Sequence, residues 1–315
     1  SLQYLKKAIS IKSDYPEPYY NLGLAYQNLG NLEESKKFLE KAISKKSNYA
    51  EAYNTLGMVL NDLAKFEDSL KCYNKAIELK PNYEKAYNNL GNLLSELREY
   101  SKATIAFKEA IKIKNDYAIA YSNLLFNLNY IMNLDPNLYL DEAKKFRINC
   151  KPIKKINFNY KFEKEPKKLK VGFVSADFGN HPGGYHTLST LRELKKKNLE
   201  LIAYAAIERK DELSHHFKPL FSKWHSIEKK TDEEVVNQIV NDGIHILIEM
   251  QGHSAKNRLT IFMHKAAPVQ VSWLSQGTLG IPEIDYLIGS PQITPKDEEK
   301  HFVEKIIRLP EITQC

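Results

Sequence analysis

A chain of 315 residues with 43% hydrophobic and 27% charged side chains has material for roughly two domains of about 150 residues, each with a buried core, which excludes a disordered chain. The formal net charge of +7 suggests a polyanion partner, but residues 151–170 alone hold eight lysines against Glu163 and Glu165. The basicity therefore belongs to a solvated connecting segment, and no nucleic-acid partner is expected.

The first 133 residues repeat. Steps of 34 lead from Tyr19 to Tyr53, Tyr87 and Tyr121, from Leu22 to Leu56, Leu90 and Leu124, and from Ala8 to Ala42, Ala76 and Ala110. That period is the signature of the tetratricopeptide helix-turn-helix unit. Helix A of each unit carries Tyr-x-x-Leu-Gly, with Gly23, Gly57 and Gly91 placed for close approach of helix B, whose apolar i, i+4 pairs include Phe38 with Ala42 and Phe107 with Ile111. The spacing predicts a partial first unit, full units at about 16–49, 50–83 and 84–117, and a last helix A over about 118–132 in which Leu125 replaces the glycine.

A solenoid of such units offers a concave face lined by helix A. Asn21, Thr55, Asn89 and Asn123 occupy one series on it, and amides in that series can both donate to and accept from an extended backbone, so polypeptide binding is expected there. Leu134-Asp135-Pro136 is read as stopping the pattern. Asp141 to Cys150 then reads as a capping helix, and residues 134–168 as cap plus Lys-rich linker.

From Leu169 to Cys315 the period changes. Leu169 to Ser175, Leu199 to Ala206, Ile244 to Met250, Val269 to Leu274 and Tyr286 to Gly289 read as buried parallel strands, with Asp232 to Asn241 as one crossover helix. The fold class is thus α followed by α/β: a tetratricopeptide solenoid, then a doubly wound parallel lobe whose ligands sit at the carboxyl ends of the strands.

The loops at those ends carry the candidate residues. The first holds Asp177, Asn180, His181, Gly183 and Gly184; a histidine there, with its pKa near working pH, can act as a general base or orient a hydroxyl. His225 lies on a short candidate strand, His253 follows the third strand, and Leu274, Gln276, Gly277 and Thr278 lie at the end of the next; His181, Asp177 and His225 are the candidate catalytic residues, and Asn180, Gly183, Gly184, His253, Leu274, Gln276, Gly277 and Thr278 the candidate substrate contacts. Asp177-Phe178-Gly179 matches a kinase tripeptide without any of its companion motifs, and neither a dinucleotide nor a P-loop fingerprint occurs.

Cys72, Cys150 and Cys315 are far apart, odd in number and without metal-ligand spacing. A disulfide framework and a zinc site are therefore not expected, and a reducing compartment is. No apolar run nears the roughly 18 residues that span a bilayer, and the opening Ser-Leu-Gln-Tyr is no signal segment. The cytoplasm is the expected location.

Together V-G-F-V-S-A-D-F-G-N-H-P, D-G-I-H-I-L-I-E-M-Q-G-H-S, A-P-V-Q-V-S-W-L and I-D-Y resemble the protein O-GlcNAc transferase and SPINDLY family. The resemblance implies repeats ahead of a two-lobed GT-B glycosyltransferase, inverting and metal-independent, with no cofactor. It implies transfer of N-acetylglucosamine from its uridine diphosphate to Ser or Thr hydroxyls of polypeptides held by the repeats. His181 matches the histidine of the family's Asn-His-Pro loop, near the reacting centre; His225 matches a second first-lobe histidine more weakly; Leu274 to Thr278 match the loop that approaches the donor sugar. Trp273-Leu274-Ser275-Gln276-Gly277-Thr278 is one residue shorter than the family's loop and lacks its proline, and Gly183-Gly184 replaces a Thr-Ser or Val-Gly pair. A fucosyl or other hexosyl transferase, or a non-catalytic scaffold, is compatible with the same motifs. As the resemblance places the nucleotide on a second lobe beyond Cys315, this chain alone is expected not to turn over.

Overall fold

The computed structural model describes residues 2–11, 14–152 and 166–310. Cys315 and most of the Lys-rich linker, residues 153–165, lie outside the described residues. The chain forms two units, Ser1–Ile131 and Met132–Cys315.

The first unit is helical: α1 (Leu2–Ile11), then the pairs α2 (Pro16–Asn28) with α3 (Leu32–Lys45), α4 (Ala50–Asp62) with α5 (Phe66–Leu79) and α6 (Glu84–Glu96) with α7 (Tyr100–Ile113), and last α8 (Ala118–Leu128). The repeat glycines explain the pairing. A Cβ at Gly23 would lie 2.6 Å from Leu39, at Gly57 2.7 Å from Tyr73, and at Gly91 2.5 Å from Phe107, so each large side chain of a helix B occupies the space a helix A leaves open. Ser35 and Ser69 fasten the same joints by donating to the carbonyls of Gly23 and Gly57 at 2.7 Å. In α8, Leu125 fills the glycine position and is fully buried. There Asn127 bonds the carbonyl of Tyr100 and the hydroxyls of Thr104 and Ser95, tying α8 to the preceding pair.

The second unit begins with α9 (Pro136–Asn149) and continues as β1 (Leu169–Ser175), α10 (Pro182–Lys195), β2 (Leu199–Ala205), α11 (Glu212–Phe217), β3 (Lys223–Ser226), α12 (Asp232–Asp242), β4 (Ile246–Glu249), α13 (Leu259–Phe262), β5 (Val269–Trp273), β6 (Tyr286–Gly289) and β7 (Lys305–Arg308). The strands form one parallel sheet in the order β3-β2-β1-β4-β5-β6-β7. The order reverses between β1 and β4, the topological switch point of a doubly wound sheet. Phe173, Phe178, Leu191, Leu201, Ala203 and Phe217 are among the side chains that fill the core on one face. Opposite, α12 is delimited by a capping box of Thr231 and Glu234 and by Gly243 in the left-handed region at φ +67.

Two readings of the sequence change here. The helix expected over Asp141 to Cys150 starts earlier, at Pro136: the Asp135 carboxylate accepts from Asn137 N at 2.9 Å with Pro136 in the first turn, a position that needs no amide proton. The helix expected as the cap of the repeats belongs to the second unit. Its Arg147 pairs with Glu283, the Ala143 carbonyl leaves no room for a Cβ at Gly280 (φ +70), and Phe146 packs on His253. β7 also adds an edge strand the sequence reading lacked.

Candidate functional site at the switch point

The loop after β1 is held from three sides. Ala176 N donates to Gln251 Oε1 at 2.8 Å, the Ala176 carbonyl accepts from Arg209 Nε at 2.8 Å, and Asp177 N donates to Ser175 Oγ at 3.0 Å. Phe178 then turns into the core among Phe217, Phe221 and Trp224. The chain re-emerges at exposed Asn180, whose Oδ1 accepts from the Tyr185 hydroxyl at 3.0 Å, and at His181, the N-cap of α10.

His181 and Asp177 meet. His181 Nδ1 lies 3.2 Å from Asp177 Oδ1 and also 3.2 Å from Gly183 N. One nitrogen cannot serve both at once: a bare Nδ1 accepts the Gly183 amide proton, and a protonated Nδ1 donates to Asp177. The imidazole side chain is 41% exposed and Asp177 only 12%. Burial pushes the Asp177 carboxyl above the usual carboxylate range, against the pull of His181 and Arg209.

Gly183 and Gly184 make this contact possible. A Cβ at Gly183 would come within 3.1 Å of Asp177 Oδ2, and one at Gly184 within 2.2 Å of the Gly179 carbonyl. Sequence reading placed both as substrate contacts; the structure gives them the role of letting α10 start close over the loop.

The loop after β4 adjoins. Buried Glu249 accepts from Gln251 N at 2.6 Å, Gly252 N at 2.7 Å and Ser272 Oγ at 3.1 Å. Burial above all pushes its carboxyl up to about 7. His253, expected to touch substrate, is turned inward: Nε2 lies 3.4 Å from the Leu279 carbonyl and burial drives its pKa down to about 3, so the ring is neutral and structural.

The loop after β5 divides. Leu274 holds φ +76, a strained conformation for a branched side chain, and Ser275 donates to the Gly277 carbonyl at 2.7 Å. Gln276 is exposed. Gly277 faces Tyr139 of α9, whose ring would be 3.3 Å from a Cβ. Thr278 is 1% exposed and its hydroxyl donates to Glu304 Oε2 at 2.6 Å while accepting from Gly280 N and Val303 N; it is committed to the fold rather than to a ligand.

His225 sits elsewhere. Its Nε2 lies 3.0 Å from Asp242 Oδ2 at the end of α12 and its ring stacks on Tyr204. Burial raises the Asp242 carboxyl, but hydrogen bonds from Lys223 and Tyr204 and the charge of His225 hold it below the usual range. This polar cluster joins β2, β3 and α12 rather than the loop of His181.

In the repeats, the donors of the expected ladder are used between units. Asn89 Nδ2 donates to Asn54 Oδ1 at 3.0 Å and Asn123 Nδ2 to Asn88 Oδ1 at 2.9 Å, while buried Thr55 donates to the Glu51 carbonyl at 3.0 Å. Asn21 is exposed.

Comparison with known proteins decides the family. The model of glycosyl transferase family 41 matches residues 136–313, which is more than half of the chain. The chain belongs to glycosyl transferase family 41. The family match takes in α9 with the lobe, and tetratricopeptide models match residues 16–48 and 84–117 of the repeats. Among curated relatives, the probable UDP-N-acetylglucosamine–peptide N-acetylglucosaminyltransferase SPINDLY of Arabidopsis thaliana is 29% identical over 158 residues, 48% of this chain and 17% of that protein. The relative named SEC from the same plant is 28% identical over 189 residues, 56% of this chain and 19% of that protein. The chain thus spans less than a fifth of the length of these relatives. A solved mutant of the Thermobaculum terrenum O-GlcNAc transferase superposes with TM-score 0.82 at 24% identity, over 95% of this chain and 58% of that one. The family 41 lobe here therefore has the fold of the first half of a GT-B enzyme, preceded by tetratricopeptide repeats. Among the described residues, no helix is long and apolar enough to cross a membrane.

Sequence reasoning missed Glu249, Arg209, Tyr139 and Glu304. Only Glu249 left a signal, a carboxylate ending an otherwise apolar strand; the others come from segments remote in sequence.

Proposed function

We propose that the protein carrying this chain transfers N-acetylglucosamine from UDP-N-acetylglucosamine to Ser or Thr hydroxyls of polypeptides, with inversion and without a metal. The observation that carries the reading is the Asp177–His181 pair at the switch point of a family 41 lobe, 3.2 Å between Nδ1 and Oδ1. With Nδ1 protonated toward Asp177, His181 Nε2 is the basic nitrogen. It takes the proton of the acceptor hydroxyl as that oxygen forms its bond to the anomeric carbon, and the bond to the diphosphate breaks with its electron pair on the departing UDP. Asp177 offsets the imidazolium charge that results. Asn180 and Gln276, both exposed on these loops, contact the substrates. His225 acts through the Asp242 cluster rather than on the reacting atoms. The repeats bind the polypeptide through Asn21, Asn89 and Asn123, the last two by the amide capacity left after their inter-repeat bonds, and so orient the hydroxyl. The protein works in the cytoplasm.

The test is transfer of labelled sugar from UDP-N-acetylglucosamine to a peptide library by the full-length protein, wild type and His181→Ala. Transfer that falls at least about a hundredfold in the variant supports the reading. Transfer only from a guanosine-linked sugar would replace the donor, and no transfer from any nucleotide sugar would make the chain part of a binding scaffold.

A further inference from the structure

We propose that Gln251, anchored by Glu249, is a positioning residue for the Asp177–His181 pair; this rests on the transferase reading above. The pairing of β1 with β4 ends at Val174 opposite Glu249. Beyond that point the Ala176 amide has no strand partner from β4, and Asp177 is the very next residue. The Gln251 side chain continues the ladder where the backbone cannot: its Oε1 accepts from Ala176 N at 2.8 Å, and its Nε2 reaches the Ala255 carbonyl at 3.4 Å. A buried amide left without that acceptor would release the loop, because an unpaired buried donor is costly.

Gln251 in turn is aimed by Glu249. Glu249 is 3% exposed, sits at the end of the strand beside β1, and takes the amides of both Gln251 and Gly252 on one oxygen and the Ser272 hydroxyl of β5 on the other. Hydrogen bonds therefore link β5 through Glu249 and Gln251 to the amide of Ala176, the residue before Asp177. The Ala176 carbonyl, in the next peptide, which joins Ala176 to Asp177, accepts from Arg209 Nε, and Arg209 Nη2 also lies 3.8 Å from Asp177 Oδ1. Asp177 contributes to raising the Glu249 carboxyl, so the two acids are electrically coupled as well as linked through the backbone. A fully buried carboxylate is costly to keep. A purely structural strand end would be served by an apolar residue, and the hydrogen bonds here converge on Ala176, the residue beside the Asp177 that meets His181.

The experiment uses the full-length protein for kinetics and the present chain for exchange. Gln251→Leu and Glu249→Leu are expected to lower kcat about tenfold while leaving KM for the nucleotide sugar within about twofold, since the loss is in alignment and not in donor binding. Glu249→Gln keeps both amide bonds through its carbonyl and offers its NH2 to Ser272, so it restores kcat to within about twofold of wild type. Leucine variants that fold, by their melting curves, and retain wild-type kcat overturn the proposal, as does a Glu249→Gln variant as slow as Glu249→Leu. If a leucine variant does not fold, hydrogen exchange of the Ala176 amide in the wild-type chain decides: protection supports the bond to Gln251, and exchange at the rate of an open loop overturns it. Protection at Ala176 together with no sugar transfer by the wild-type protein overturns the transferase reading while leaving the brace in place.

Discussion

The imidazole of His253 stands edge-on to the ring of Phe146, with 5.0 Å between centroids and 80° between planes. A histidine that sequence places in a polar loop is thus part of the seam by which α9 closes on the lobe, and burial holds it neutral with a pKa near 3.

The sign of its pH effect follows. Because the folded state resists protonation that the unfolded chain accepts near 6.5, stability from this group is full above pH 6.5 and is lost as pH falls toward 3. The loss is at most about 5 kcal/mol. Melting temperatures between pH 7 and 4 should fall more steeply for wild type than for His253→Met, which keeps apolar contact with Phe146; equal slopes would contradict the burial argument.

Glu249 acts in the opposite direction. Its carboxyl is raised from 4.5 to about 7, so its contribution is full below pH 4.5 and is lost as pH rises through 7, to a total of about 3 kcal/mol. The stability of Glu249→Gln relative to wild type should therefore grow between pH 5 and pH 8, as read by urea titration at each pH.

His181 holds two roles that substitution separates. With Nδ1 bare it accepts from Gly183 N as the N-cap of α10, a role asparagine also fills, whereas alanine does not and costs about 1 kcal/mol. His181→Asn should melt like wild type and His181→Ala a few degrees lower, while both abolish proton transfer. Sugar transfer by His181→Asn at the wild-type rate would remove the histidine from the chemistry.

The repeat glycines set a packing limit. Gly91→Ala places a methyl 2.5 Å from the buried ring of Phe107 and should destabilise the chain by about 1–3 kcal/mol in urea unfolding. A second change, Phe107→Leu, should recover part of that loss by making room, giving a positive coupling in the double-mutant cycle.

The positions of most elements were legible because local pattern dictates them. Apolar runs gave five strands to within two residues at either end, and the 34-residue period gave three helix pairs. The loop of His181 was legible too, since the apolar run of β1 stops at Ser175 and a polar, glycine-containing stretch follows it. β7 escaped because Lys305-Ile306-Ile307-Arg308 is a short edge strand with little apolar length to announce it. The helix expected from Asp141 begins at Pro136, because the Asp135-Pro136 pair that follows the end of the repeats also caps α9.

Sequence by itself determined the repeat, the parallel lobe and the positions of the loops at its strand ends, because period and the succession of elements depend on residues near one another in the chain. Tertiary structure decided which loop side chains face outward and which face the core. Thr278 is claimed by Glu304, 26 residues on, and His253 by Phe146 of α9, while largely buried Asp177 and the more exposed His181 stay together within their own loop. A loop has no periodicity to fix the direction of its side chains, so their partners are settled only when distant elements pack against it.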